Sequence, residues 1–207
     1  SGTTGKPKGV MSRHDQTIRV FLEWSEIVGL NETDRYLIVN PFFHTFGYKA
    51  GFLACLLRGA TMLPVPIFDI PVVLQKISDE KISAIPGPPT LYLTILNHPD
   101  RAKFDLSSLR LAVTGAAAVP VEMIKRMRDE LNFEVILTAY GLTESTGTVT
   151  MCRAEDDPLT ISTTSGRAIT DVEVRIVDEN NAEVPRGQSG EIVCRGYNVM
   201  PGYFADP

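Results

Sequence analysis

Cysteine is scarce in this chain of 207 residues: there are three, Cys55, Cys152 and Cys194, far apart and without a C-x-x-C or a histidine pair beside them. An odd, scattered set builds neither a disulfide framework nor a zinc site, and a reducing cytoplasmic setting is expected. Long apolar runs are missing as well. The stretch at residues 51–57 is ended by Arg58 and Gly59, far short of the ~20 apolar residues that a membrane span requires. Nor is there a run of lysine or arginine: 20 basic and 25 acidic residues are dispersed along the chain, for a net charge of −5. Without a basic stripe to follow a phosphodiester backbone, nucleic acid is not an expected partner. The opening residues do not read as a basic-then-apolar leader, and no pattern specifies an oligomeric state.

What remains is an ordinary globular composition, 43% apolar, 22% charged and 8% aromatic, long enough to bury roughly 70% of its unfolded surface. Helical periodicity alternates with short β-rich runs from residue 14 to about residue 140. Ile18, Phe21, Leu22 and Val28 share a predicted helical face that ends at Gly29, and residues 36–39 read as a strand. A helix over residues 52–57 stops at Gly59, with a strand at residues 61–65. Asp69 caps a helix with Pro71 in its first turn and Val72, Leu74 and Ile77 inward. Further strands are expected at residues 83–85, 109–113 and 133–137, and helices at residues 90–96 and 120–131.

Strands each followed by a helix imply parallel pairing, hence an α/β fold with helices flanking a parallel-type sheet. Past residue 160, Val172, Val174 and Ile176 alternate with charged residues, a polar turn follows at residues 178–181, and residues 191–194 read as a strand. The expected organisation is therefore an α/β part over residues 1–160 and a smaller β-rich, distorted barrel-like part over residues 161–207.

Residues 1–9 hold Ser1, Gly2, Thr3, Thr4, Gly5, Lys6, Lys8 and Gly9 without one large apolar side chain. Glycines let backbone N–H groups turn toward an anion, hydroxyls add donors and lysines add charge, a combination suited to a polyphosphate. Taken alone, it also admits the reading of a mobile surface turn. A Walker loop is excluded, because Gly2 to Gly5-Lys6 is too short and Pro7 stands where Ser or Thr should be.

Two further segments keep company with this loop: Tyr140-Gly141-Leu142-Thr143-Glu144, and Gly190-Glu191-Ile192 followed by Gly196 and Gly202-Tyr203. By these motifs, in this order, the chain closely resembles the adenylate-forming superfamily of acyl-CoA synthetases, peptide-synthetase adenylation domains and luciferases. The resemblance covers essentially all of the chain and implies a fragment from the middle of the large adenylation domain. An amino-terminal subdomain would precede Ser1. The ribose-binding aspartate, the hinge, the catalytic lysine and the mobile carboxy-terminal domain would follow Pro207, so that the piece alone is expected to be inactive.

The same resemblance implies site residues. Tyr140 would stack on adenine, Gly141 would belong to the same nucleotide-side segment, Thr143 would donate to the α-phosphate and Glu144 would ligate Mg²⁺. An aromatic face suits a flat base, and a carboxylate oxygen suits magnesium. Gly115, Ala116 and Ala117 resemble the adenine-side segment, where small residues admit the base. His44, within Pro41-Phe42-Phe43-His44-Thr45-Phe46-Gly47, matches a residue that separates the acyl site from the path of the thiol; alone it would read as a packed histidine.

The activity implied is activation of a carboxylic acid by Mg·ATP to acyl-AMP, then transfer to coenzyme A, with ATP, Mg²⁺ and coenzyme A as the small molecules involved. Amino-acid adenylation is the nearest alternative, but residues 41–47 lack the aspartate needed to pair with a substrate ammonium. A silent nucleotide-binding module is the alternative outside enzymology. The wording of the motifs is closest to bacterial ligases of fatty or steroid-derived ring acids.

Overall fold

The computed structural model describes residues 5–115, 117 and 119–206. Its first half runs α1 (His14–Ile27), β1 (Arg35–Ile38), α2 (Thr45–Gly47), a π-helical turn Tyr48–Leu53, α3 (Ala54–Arg58), β2 (Thr61–Pro64), α4 (Ile70–Glu80) and α5 (Pro89–Leu96). Then follow β3 (Leu111–Gly115), α6 (Val121–Leu131), β4 (Val135–Tyr140), β5 (Thr150–Met151), α7 (Pro158–Thr163), β6 (Arg167–Ala168), β7 (Val172–Val177) and β8 (Glu191–Gly196).

The expected parallel sheet is present. β1 pairs with β2, and β3 with β4, both parallel. Ala84 joins the two pairs, bridging Tyr36 on one side and Leu111 on the other, while Gly87 N–H reaches the Val113 carbonyl at 2.9 Å. The strand expected at residues 83–85 is thus a single bridging residue. Pro86 and Pro88 nearby have no N–H with which to extend a ladder. β5 and β6 add an antiparallel edge beyond β4. Tyr36, Leu37, Leu111, Ala112, Ile136 and Leu137 are all buried, the near-continuous apolar run of a sheet covered on both faces.

Local chemistry sets the helix ends. Asp69 accepts a hydrogen bond from the Val72 N–H at 3.1 Å, with Pro71 in the first turn, so the cap falls where expected. Val72 itself is exposed and Val73 takes the inward place, a shift of one residue that follows from where the first turn closes. On α1, Phe21 and Val28 are buried as expected, but Ile18 and Leu22 are exposed, and Val20 and Trp24 are packed instead.

A second surface holds α1 from its polar side. Gln16 donates to the Tyr197 and Val199 carbonyls at 2.8 and 2.7 Å, Arg19 pairs with Asp171, and the Tyr197 hydroxyl donates to Glu23 at 3.1 Å. These contacts fix β7 and β8, which form their own antiparallel pair with six registered positions. Val172, Val174 and Ile176 are more buried than Glu173 and Arg175 between them, the alternation expected of a one-sided strand, and buried Val177 departs from it at the strand's end. Asp178 closes the turn by accepting the N–H groups of Asn180 and Ala182, both at 2.9 Å. Among the described residues this part is a two-stranded sheet, with no closed barrel.

Candidate functional site

Two of the segments singled out in the sequence, residues 41–47 and 140–144, lie where the parallel strands β1 and β4 end. β4 finishes at Tyr140, and Gly141 then turns so tightly that a Cβ there would lie 2.3 Å from the Gly147 carbonyl oxygen. Only glycine fits. The turn beyond it is self-supporting: the Leu142 N–H donates to Ser145 Oγ at 2.9 Å, and the Gly147 N–H returns to the Leu142 carbonyl at 2.8 Å. Thr146 takes a left-handed backbone, φ 63°. Thr143 and Glu144 are thereby presented half-buried on a short, rigid turn.

Residues 196–204 run back as a strap across this turn. The Met200 N–H donates to the Glu144 carbonyl at 2.8 Å, and the Thr146 hydroxyl donates to the Asn198 carbonyl at 2.7 Å. The strap then pairs with the end of the opening loop, where Val10 and Tyr203 bridge antiparallel and the Phe204 N–H reaches the Gly9 carbonyl at 2.7 Å. From this pairing the Tyr203 hydroxyl donates to Glu144 Oε1 at 2.8 Å. Glu144 and residues 8–10 therefore share one corner of the molecule.

Lys8 meets Asp206 at 3.0 Å and lies 4.8 Å from the centre of the Tyr203 ring; its hydrogen bond to Asp206 holds the ammonium above the ordinary lysine value. Gly5 and Lys6 are exposed. Ser1, Gly2, Thr3, Thr4 and Ala116 lie outside the described residues.

Two cavities flank the end of β4 and share a wall made by Gly115, Ala139 and Tyr140. The first, about 160 Å³, is walled by Phe21 and Trp24 from α1, by His44 and Phe46, and by Gly141 and Thr148. The second, about 340 Å³, is bordered by Ala117 and by the hydroxyl-bearing residues Thr138, Ser162, Thr163 and Ser165. So His44, Gly115, Tyr140 and Gly141 meet around one apolar hollow, and Gly115, Ala117 and Tyr140 around a hydroxyl-rich one. Neither cavity is lined by a carboxylate. Thr143 and Glu144 lie in the turn beyond Gly141 and are not among the lining residues.

His44 is exposed and caps α2, its Nδ1 accepting the Phe46 N–H at 3.1 Å, which leaves Nε2 for another partner. The loop that carries it closes only because of Gly47, where a Cβ would lie 2.1 Å from the Pro41 carbonyl oxygen. Sequence reasoning missed Phe21 and Trp24 as cavity walls; that Trp24 is the single tryptophan was the available signal. It noted Gly202-Tyr203 as a motif without seeing that Tyr203 would hold Glu144.

The chemistry of the donors fits a magnesium nucleotide. Among the described residues no cluster of three or more histidine, cysteine or acidic side chains could cage a metal alone. Magnesium commonly takes one or two carboxylates and completes its shell with phosphate and water, which a single Glu144 can serve. Cys55 offers no nucleophile, because burial pushes its thiol up to about 12. Among the described residues no helix is long and apolar enough to cross a membrane.

The family described as AMP-binding enzyme matches residues 1–204, and the chain belongs to that family. It is 57% identical over 207 residues to the 3-[(3aS,4S,7aS)-7a-methyl-1,5-dioxo-octahydro-1H-inden-4-yl]propanoyl:CoA ligase of Rhodococcus jostii (strain RHA1), covering 100% of this chain and 38% of the relative. The ligase of the same name from Mycobacterium tuberculosis (strain ATCC 25618 / H37Rv) is 51% identical over 206 residues, covering 100% of this chain and 39% of the relative. Among solved structures, the anthranilate CoA ligase AuaEII in complex with anthranoyl-AMP superposes with a TM-score of 0.90 at 27% identity, over 100% of this chain and 40% of that one. The chain thus spans well under half the length of the relatives it matches.

Proposed function

We propose that the chain is the nucleotide- and acid-binding part of an AMP-forming acyl-CoA ligase, one that joins a carboxylic acid to coenzyme A through acyl-AMP. The observation that carries this reading is that Tyr140 and Gly115 border two adjoining cavities, with His44 on the apolar one, while Tyr203 holds Glu144 in the turn beyond Gly141. The hydroxyl-rich cavity suits the nucleoside, with Tyr140 stacking on the base and Gly115 and Ala117 leaving room for it. The apolar cavity suits the acid, whose carboxylate would face the α-phosphate past Thr143.

In the first half-reaction a carboxylate oxygen attacks the α-phosphorus and pyrophosphate leaves; in the second, the thiol of coenzyme A attacks the acyl carbon and AMP leaves. Charge shifts onto phosphate oxygens during the attack, and Thr143 together with the loop at residues 1–9 would meet it with donors. Mg²⁺, held by Glu144, would neutralise part of the same charge when bound. His44, on the rim of the apolar cavity, would shape the path of the thiol. Phe21, Trp24 and Phe46 favour a bulky apolar acid, and the names of the ring-acid ligases from Rhodococcus and Mycobacterium point the same way. No carboxylate lines the apolar cavity to pair with an α-ammonium, which argues against an amino-acid substrate.

The test is acid-dependent ATP–pyrophosphate exchange by the full-length parent, screened against fatty, aromatic and fused-ring acids, with thioester formation as the second readout. Exchange and thioester with a fused-ring acid are expected; exchange without thioester would remove coenzyme A from the reading. Glu144→Ala is expected to lower exchange by about 10²-fold while leaving the thermal midpoint within a few degrees, since the turn keeps its backbone hydrogen bonds. Unchanged exchange would deprive Glu144 of its role.

A further inference from the structure

Among the described residues, one ammonium group that the proposed reaction does not use is buried away from any carboxylate. Lys49 is 1% exposed. Among the described residues no acidic side chain lies within ion-pair distance of it; its Nζ donates to the Thr146 carbonyl at 3.4 Å and to Ser12 Oγ at 3.5 Å. The nearest aromatic ring, Tyr48, is centred 5.6 Å away. A buried cation served by two long hydrogen bonds is costly, and methionine would fill the same space without that cost. Burial accordingly pushes the ammonium below the ordinary lysine value.

The two partners give this cation its meaning. Ser12 follows the opening glycine loop and lies one residue beyond Met11, whose N–H pairs with the strap at Gly202. Thr146 ends the turn that carries Thr143 and Glu144 and takes a left-handed conformation. Lys49 itself stands on the π-helical turn Tyr48–Leu53, directly after the loop of His44. Such turns recur at functional sites because the extra residue per turn re-aims a side chain. One ammonium therefore touches the root of the phosphate loop, the end of the Glu144 turn and the element that follows the acid-side loop.

We propose that Lys49 is a positioning residue that ties Ser12 to the Thr146 carbonyl and so sets the spacing between the opening loop and the Glu144 turn for Mg·ATP. This rests on the ligase reading above and adds to it a residue that lines neither cavity. A purely structural peg would show itself in stability and leave nucleotide affinity alone. A spacer between two phosphate-binding segments should show the reverse.

The experiment is calorimetric titration of Mg·ATP into the full-length parent, wild type against Lys49→Met, Ser12→Ala and the double variant, with thermal midpoints recorded on the same samples. Lys49→Met is expected to weaken Mg·ATP binding about tenfold, the worth of a pair of charge-assisted hydrogen bonds at long range, with a midpoint equal to or above wild type. Ser12→Ala should weaken binding less, and the double variant no more than Lys49→Met, because both act through one contact. Wild-type affinity in Lys49→Met overturns the proposal. Should that variant melt early, Ser12→Ala decides: weaker binding at an unchanged midpoint supports the spacer, and unchanged binding refutes it. If the wild-type parent itself binds no Mg·ATP, the ligase reading fails, and the spacer loses its purpose with it.

Discussion

The two ends of the parallel sheet are wired in opposite ways. At the end where the strands begin, Asp34, Ser83 and Arg110 stand side by side just ahead of their strands. Asp34, 1% exposed, accepts hydrogen bonds from Arg110 Nε at 2.8 Å, Ser83 Oγ at 2.6 Å and the Asn31 N–H at 3.0 Å. Every lone pair facing inward is used. At the end where the strands finish, two cavities open, Thr146 takes a left-handed backbone, Lys49 makes only long contacts, and the buried Thr114 hydroxyl beside the apolar cavity has no partner among the described residues. One end is satisfied and closed; the other is left with hydrogen-bonding capacity unspent. In open α/β sheets ligands bind at the carboxyl ends of the strands, and here that end carries the motifs as well as the cavities. Strain and unmet polar groups tolerated on one side are supported by the closed network on the other.

The largest effect expected from breaking this division lies on the closed side. Arg110→Met leaves Asp34 buried with a charge and only Ser83 and Asn31 to meet it. Removing one partner of a buried pair costs about 3–5 kcal/mol, and the lower figure applies here because those two donors remain. Urea unfolding of the full-length parent should show the loss, while Mg·ATP affinity stays at the wild-type value. A fall in nucleotide affinity at unchanged stability would mean that the two ends are not separate.

How far the sequence foretold this division depends on whether a residue acts within its own segment. Strand ends carrying Tyr140 to Glu144 and the His44 loop were legible, because glycine, aromatic and acidic residues cluster there within a few positions. The cap at Asp69 was legible for the same reason. The inward face of α1 was not: Ile18 and Leu22 are as apolar as Phe21, and only the ties from Gln16, Arg19 and Glu23 to the β7–β8 side turn them outward. The segment at residues 83–85 reads as a full strand because periodicity does not show that only Ala84 would bridge its neighbours. Contacts between distant segments were beyond reach. Tyr203 meets Glu144 across 59 positions, and Trp24 reaches a cavity that it shares with the His44 loop and with the ends of β3 and β4.

The Tyr203 contact sharpens the comparison at the open end. Tyr203→Phe keeps the ring, the bridge to Val10 and the strap, and deletes only the hydroxyl that donates to Glu144 at 2.8 Å. A hydrogen bond to a charged acceptor contributes about 1.5–3 kcal/mol, so Mg·ATP affinity and exchange should fall by roughly tenfold with little change in the thermal midpoint. Equal affinity would mean that the backbone of the turn alone orients the carboxylate.

The smallest effect belongs to a third kind of charge, neither sealed nor open. Glu130 on α6 meets Arg126 and Arg101, both at 2.6 Å, with its side chain 31% exposed. The hydrogen bond from Arg126, then that from Arg101, holds its carboxyl down to about 2 from the ordinary 4.5. Because the folded value is depressed, its stabilisation is fully present above the unfolded value of 4.5 and disappears as the pH falls through about 2. Comparing wild type with Glu130→Gln by urea midpoint, the difference should be steady at neutral pH, shrink below 4.5 and be further reduced by added salt, since solvent screens an exposed pair. Arg110→Met measured alongside should respond far less to salt, because Asp34 is out of the solvent's reach. Equal salt sensitivity in the two variants would place the Asp34 pair among the surface charges and erase the contrast between the two ends of the sheet.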